Sequence, residues 1–182
     1  MEMKSSRQVW VSRSKQDMSI YHLTSLQEVH ARQILDWRYP PPYDFYNPPS
    51  DRPAEDYIQE FINPDYQFHA ILDEDNNFIG FCSFGIDGRV PGGNYQEDAL
   101  DIGVGMKPEL TGRGLGYQFF DAILQYAITN FDPAWTRLTV ANFNKRALNL
   151  YKNFGFTLLD EFEDDKLNIR YTILIRHSST RN

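Results

Sequence analysis

The sequence predicts a mixed α/β domain of the α+β kind, with a mostly antiparallel central sheet flanked by helices. Two observations carry this. The elements run helix, helix, strand, strand, strand, helix, strand, helix, strand. The early strands are joined by hairpin-type loops, as antiparallel neighbours require, and the later ones by helices, as a parallel crossover requires. With 182 residues the chain fits a single domain. That length can bury a core without disulfides or metals.

The first 17 residues are polar and aperiodic and read as a disordered leader. Met18 is an alternative start, and the domain is expected over 18–178. Ser25 to Arg38 reads as a helix: Ser25 and Glu28 have capping-box spacing, Leu26, Val29, Ile34 and Trp37 fall on one face, and Pro40-Pro41-Pro42 ends it. The segment from Tyr43 to Pro49 is a loop rich in proline and aromatics. Its rings either plug the space under neighbouring helices or wall a substrate pocket, with Tyr43, Phe45 and Tyr46 as the pocket candidates. Pro53 suits a first helical turn, and Ala54, Tyr57, Ile58, Phe61 and Ile62 follow helical spacing. Phe68–Leu72 and Phe78–Gly85 read as strands joined by a hairpin loop at Asp73–Asn77. Ile86–Asp98, with Pro91-Gly92-Gly93, reads as a long surface loop, and Ala99–Met106 as a strand.

Leu115–Asn130 is the clearest helix, with Leu115, Phe119, Ile123 and Ala127 repeating every four residues. Trp135–Val140 reads as a strand and Asn144–Phe154 as a helix. Gly155 stands at that helix's stop position, and Phe156 makes the hydrophobic contact that follows. Ile169–Ile175 is the last strand expected.

Composition narrows the function. Net charge is -7, which argues against binding nucleic-acid phosphates and weakly favours cationic ligands such as amines. A single cysteine excludes an internal disulfide and a multi-cysteine zinc site. No apolar run approaches the roughly 18 residues of a membrane span. The N-terminal segment lacks the apolar stretch of a secretory signal. A cytoplasmic enzyme or binding domain is the expectation. The four histidines have no metal-ligand spacing. His69 and Cys82 sit in apolar strands, where packing is the default.

The informative segment is Leu100–Gly116: a strand, a glycine-rich turn, then a helix. Glycines let backbone approach a ligand, and a helix N-terminus offers free N–H groups and a positive dipole end, which together suit a pyrophosphate. The spacing fits neither a P-loop nor a dinucleotide fingerprint.

Thr111-Gly112-Arg113-Gly114-Leu115-Gly116 resembles the [Q/R]-x-x-G-x-[G/A] acyl-CoA loop of the GNAT acetyltransferase superfamily, with Thr111 in place of the usual Gln or Arg. Asn144 to Phe156 is similar to the family's later N-x-x-A-x-x-L-Y-x-x-x-G-F stretch. The resemblance covers roughly residues 68–175. It implies a GNAT-like fold in which two neighbouring parallel strands, here 100–106 and 136–141, splay to admit acetyl-CoA as co-substrate. Val104, Gly105 and Met106 would pair with the pantetheine arm. Backbone from Thr111, Gly112, Arg113, Gly114, Leu115, Gly116 and Tyr117 would hold the pyrophosphate. Arg113 either adds charge there or is a solvated loop cation. Asn144 contacts the coenzyme, caps its helix, or does both.

By the same resemblance Tyr151 donates a proton to the departing thiolate, the alternative being plain core packing. A lysine-like amine, with pKa about 10.4, is neutral only about once in 10³ molecules at pH 7, so deprotonation costs about 4–5 kcal/mol. A carboxylate is the usual remedy. Asp101 is the nearest match to the family's acid, with Glu97 and Asp98 just upstream, and a solvated acid is the alternative for each. The expected function is direct acetyl transfer to a primary amine without a metal. The rivals are a coenzyme-A-binding module and a transferase acting on protein N-termini. Expected partners are a small-molecule or peptide amine, with a homodimer compatible with the aromatic content; nucleic acid and membrane are not expected.

Overall fold

Among the described residues seven strands form one sheet: β1 (His22–Ser25), β2 (Phe68–Leu72), β3 (Phe78–Phe84), β4 (Leu100–Met106), β5 (Trp135–Ala141), β6 (Thr157–Asp164) and β7 (Ile169–His177). Their order is β1-β2-β3-β4-β5-β7-β6. The computed structural model describes residues 20–179. The expected leader at 1–17 and the alternative start at Met18 lie outside the described residues. All neighbours pair antiparallel except β4 and β5, which run parallel across the helical crossover. This is the mixed sheet that the element order predicts.

Four helices cover the sheet: α1 (Glu28–Leu35), α2 (Ala54–Ile62), α3 (Gly116–Phe131) and α4 (Lys145–Asn153). Alternation along the strands sends successive residues to opposite faces. Ala70 and Phe78 join Leu26, Ala31, Ile34, Trp37 and Ile58 on the α1–α2 face. Their neighbours Ile71 and Ile79 join Cys82, Phe84 and Ile102 under α3 and α4. The α3 helix rides directly on β3, since a Cβ on Gly80 would lie 2.5 Å from Phe119 Cζ.

The chain departs from its sequence reading at two places. Residues 22–25 form a strand, and α1 begins only at Glu28. Ser25 is held in register with His69, and the Leu26 N–H reaches the Phe68 carbonyl, so Ser25 is spent on the sheet. The helix is capped instead at Gln27, whose N–H donates to His30 Nδ1 at 3.2 Å. Val29, assigned to the buried face, is exposed. The second departure is β6, which the sequence reading omits. Its Thr-Leu-Leu-Asp-Glu-Phe-Glu-Asp sequence is largely exposed and acidic. It lies at one edge of the sheet, where charged side chains discourage further pairing.

Phe120 is fully buried, 4.7 Å from the Tyr151 ring and 5.0 Å from Phe154. Replacing Phe120 by Ala should lower the unfolding free energy by about 3–5 kcal/mol, from lost transfer energy and the cavity left behind. Urea denaturation measures this.

Candidate active site

The site begins where two strands part. Along β4 and β5 the register holds only at Leu100 with Thr136 and at Asp101 with Arg137. Beyond that rung β5 stays with β7 along its whole length, while β4 stays with β3. From Ile102 onward the β5-facing edge of β4 therefore has no strand partner. A cleft of about 790 Å³ opens there, and its lining includes Val104, Gly105, Met106, Leu138, Thr139 and Tyr151. This is an ordinary size for a cofactor or small-molecule site.

The glycine-rich turn ends the cleft on one side. Gly112 and Gly114 take φ values of 74° and 81°, a region that only glycine enters without strain. A Cβ on Gly114 would meet nothing within 4 Å, so the turn faces open space. The α3 N-terminus follows at Gly116, with its first amides unpaired within the helix. Gly112, Gly114, Gly116 and Tyr117 all line the cleft, and Thr111 joins them. Arg113 and Leu115 are not part of the lining. Thr111 Oγ1 donates to the Pro108 carbonyl at 2.9 Å, so this residue shapes the turn.

The aromatic loop crosses the cleft as a strap. Tyr43, Phe45 and Tyr46 surround Phe143, with ring centroids 6.3, 5.7 and 5.7 Å away. Arg146 Nε donates to Tyr43 Oη at 2.9 Å, and its guanidinium lies 4.0 Å over the Tyr43 ring. Asn144 caps α4 by accepting from the Ala147 N–H at 3.2 Å, while its Nδ2 donates to Tyr46 Oη at 3.3 Å. All three aromatic candidates and Asn144 line the cleft.

The model of the acetyltransferase (GNAT) family matches residues 31–156. The chain belongs to the GNAT acetyltransferase family. It is thus an acetyl-CoA-dependent acetyltransferase. No curated protein matches the sequence significantly. Among solved structures, a spermidine N-acetyltransferase SpeG chimera (K23-Q34) from Vibrio cholerae and hSSAT has a TM-score of 0.69 at 19% identity, over 88% of this chain and 97% of that one. A spermidine N-acetyltransferase from Vibrio cholerae in complex with CoA and spermine has a TM-score of 0.66 at 19% identity, over 89% and 98%. At such identity the likeness shows the fold.

The residues present in this GNAT acetyltransferase fit the coenzyme. The open edge of β4 and the glycine turn at 112–116 present mostly backbone to the cleft, with Arg146 beside Gly112 and Tyr39 on the Met106 carbonyl. Tyr151 is buried on α4, and burial, with the nearby Tyr46 adding, pushes its phenol well above the ordinary value. It is therefore protonated at neutral pH. Among the described residues no group of His, Cys, Asp and Glu is placed to hold a metal, and no helix is long and apolar enough to cross a membrane.

Asp101 is not placed as a base. It is buried and does not line the cleft. Its Oδ1 accepts from Arg137 Nε at 2.6 Å, and its Oδ2 from Arg137 Nη2 at 2.8 Å and Arg89 Nε at 2.7 Å. Both oxygens are committed to guanidinium groups. Arg137 also reaches the Glu97 carbonyl at 2.9 Å, so the upstream segment is tied to the same cluster.

The sequence reading missed one half of the cleft. Trp37, Tyr39, Tyr57, Phe61 and Phe81 line it from the α1–α2 face, as does Asp87. Asp87 lies in a 3-10 turn, Ile86–Gly88, inside the segment read as surface loop. Tyr39 Oη donates to the Met106 carbonyl at 2.7 Å, joining the two halves. Their helical and strand spacing marks these rings as core, and nothing in that pattern separates a core wall from a cleft wall.

Two substitutions test this geometry. Gly114→Glu places a carboxylate and a strained side chain in the turn, and should weaken acetyl-CoA binding by more than about 10-fold in calorimetric titration. Asp101→Asn leaves two guanidinium groups facing a neutral amide. It should lower stability by about 3–5 kcal/mol in chemical denaturation, the cost of breaking a buried pair. An unchanged denaturation midpoint would contradict the structural role.

Proposed function

We propose that this protein transfers the acetyl group of acetyl-CoA directly to the primary amine of a small-molecule acceptor. The observation that carries this is the continuity of the cleft. It runs from the glycine turn, past the parting of β4 and β5, to an aromatic chamber on the opposite face of the sheet. Donor and acceptor can meet at the parting from opposite faces. Several structural relatives bear the name spermidine N-acetyltransferase, which supports an amine as the acceptor class.

In this reading backbone amides of the Gly112–Tyr117 segment hold the pyrophosphate, and the free edge of Val104–Met106 aligns the pantetheine arm. The coenzyme supplies an activated acetyl thioester. A backbone N–H on the free edge of β4 polarises the thioester carbonyl. The neutral amine forms the C–N bond, the C–S bond breaks, and the Tyr151 phenol gives its proton to the sulfur. That phenol is protonated at neutral pH at its ordinary pKa near 10, and burial raises it further, which makes it a weaker acid than a free tyrosine.

Thiol release in the presence of acetyl-CoA and a panel of primary amines tests the proposal; release no faster than without amine would reject it. Tyr151→Phe should lower kcat by about 10²-fold, the range of general acid catalysis, with KM for acetyl-CoA little changed.

A further inference from the structure

Resting on the transferase reading above, we propose that Asp87 binds the ammonium group of the acceptor and takes its proton, and that the acceptor carries a single positive charge on an apolar body.

The carboxylate stands at the parting of the strands. Asp87 Oδ2 accepts from Ser83 Oγ at 2.9 Å, and lies 3.5 Å from where a Cβ on Gly103 would stand. Gly103 is two residues beyond the last β4–β5 rung. That same Cβ would fall 2.3 Å from Ser83 Oγ. The missing side chain at 103 is what makes room for the Ser83–Asp87 pair over the strand.

Charge and shape then select the acceptor. Among the described residues lining the cleft, Asp87 is the sole carboxylate; of the two arginines there, Arg89 is ion-paired with Asp101 and Arg146 lies over Tyr43. Behind that lining, Glu60 on α2 borders an adjoining small cavity together with Asp87, and Asp51 accepts from the Tyr57 hydroxyl. Glu60 is already ion-paired with Arg52, at 2.9 Å through its Oε2. One free carboxylate balances one ammonium. A polyamine would bring further charges into a cleft whose lining holds no second carboxylate to receive them. The remaining wall is apolar and aromatic. Phe81 lies 5.8 Å from both Trp37 and Phe61, and Tyr57 stands beside them in the lining. Such rings bury an apolar body and favour a cation at their faces.

The protonation state supports the role. Although Asp87 reaches solvent in the cleft, the crowding around it pushes its carboxyl above the ordinary value. Glu60 adds to that and the Ser83 hydrogen bond opposes it. A more basic carboxylate accepts a proton more readily from an ammonium group. The balance closes. Asp87 takes one N–H proton, directly or through water, and the freed lone pair forms the C–N bond. The sulfur leaves with the Tyr151 proton, the nitrogen's second proton restores the phenol, and Asp87 releases its proton to solvent.

The test uses the full chain with acetyl-CoA at saturation and 2-phenylethylamine, hexylamine and spermidine as acceptors. It compares wild type, Asp87→Asn and Asp87→Glu, with acetyl-CoA affinity measured by calorimetry for each. The monoamines should exceed spermidine in kcat/KM by about 10-fold or more. Asp87→Asn should raise KM for the monoamines by about 10-fold or more, the loss expected for a hydrogen bond to a charged group, and lower kcat. Asp87→Glu should recover part of both, and acetyl-CoA affinity should stay unchanged in both variants. Preference for spermidine, no acetylation of either monoamine by an enzyme that binds acetyl-CoA, or an Asp87→Asn variant with wild-type kinetics each overturns the assignment. Loss of acetyl-CoA binding in Asp87→Asn also overturns it, by making the residue structural. Failure of the wild-type protein to bind acetyl-CoA would instead bring down the transferase reading itself.

Discussion

The cleft depends on one ion pair at the last rung of a parallel strand pair. Asp101 and Arg137 are register partners, and both are buried. Withdrawing two charges from water is costly, and their attraction offsets that cost only when geometry and hydrogen bonding are satisfied. Here they are. Two guanidinium nitrogens of Arg137 meet the two carboxylate oxygens, Arg89 adds a third bond, and a further Arg137 nitrogen reaches the Glu97 carbonyl. The Tyr95 ring lies near both guanidinium groups, at 5.3 and 5.0 Å. Tyr95 Oη accepts from the Val90 N–H and is within hydrogen-bond distance of the Val90 carbonyl and Thr139 Oγ1, which fastens the loop over the rung. The cluster sets where β4 and β5 stop pairing, and it anchors the segment that carries Asp87.

A second constraint is the stripping of side chains from one face of β4. Gly103 and Gly105 alternate with Ile102, Val104 and Met106. The apolar residues face α3 and α4, while the glycines face the α1–α2 layer. A Cβ at Gly105 would lie 2.3 Å from the Phe81 ring, so this ring packs flat against the strand's backbone. The alternating pattern gives the two faces different surfaces. One face has side chains that seal the core, and the other is bare so that the Phe81 ring and the Ser83–Asp87 pair approach the backbone.

Much of the fold was legible because its signals are local. The periodicity of Phe119, Phe120, Ile123 and Leu124 marks α3, and Gly155 sits in the positive-φ stop position assigned to it. The glycine-rich turn at the mouth of the cleft was legible because it is built from backbone, and backbone geometry leaves a trace in glycine spacing. Three things were hidden. The β1 strand is four residues with mixed burial, and β6 is an acidic edge, so neither has a hydrophobic period to detect. The surroundings of Asp101 were hidden because its partners lie 12 and 36 positions away in the chain, and an acid at a strand start looks the same whether it faces water or two arginines. Asp87 was hidden in a turn that folds back over the sheet.

The strap that closes over the cleft belongs to two distant parts of the chain. Its rings come from 43–46, but Arg146, Asn144 and Phe143 hold them in place. The loop between α1 and α2 is therefore not an independent module. Transplanting it into another scaffold of this family, or swapping it during divergence toward a new acceptor, would carry over only half of the contact surface. A functional graft must include residues 143–146 as well. The two segments are expected to change together as a unit of inheritance, although almost a hundred positions separate them in the chain.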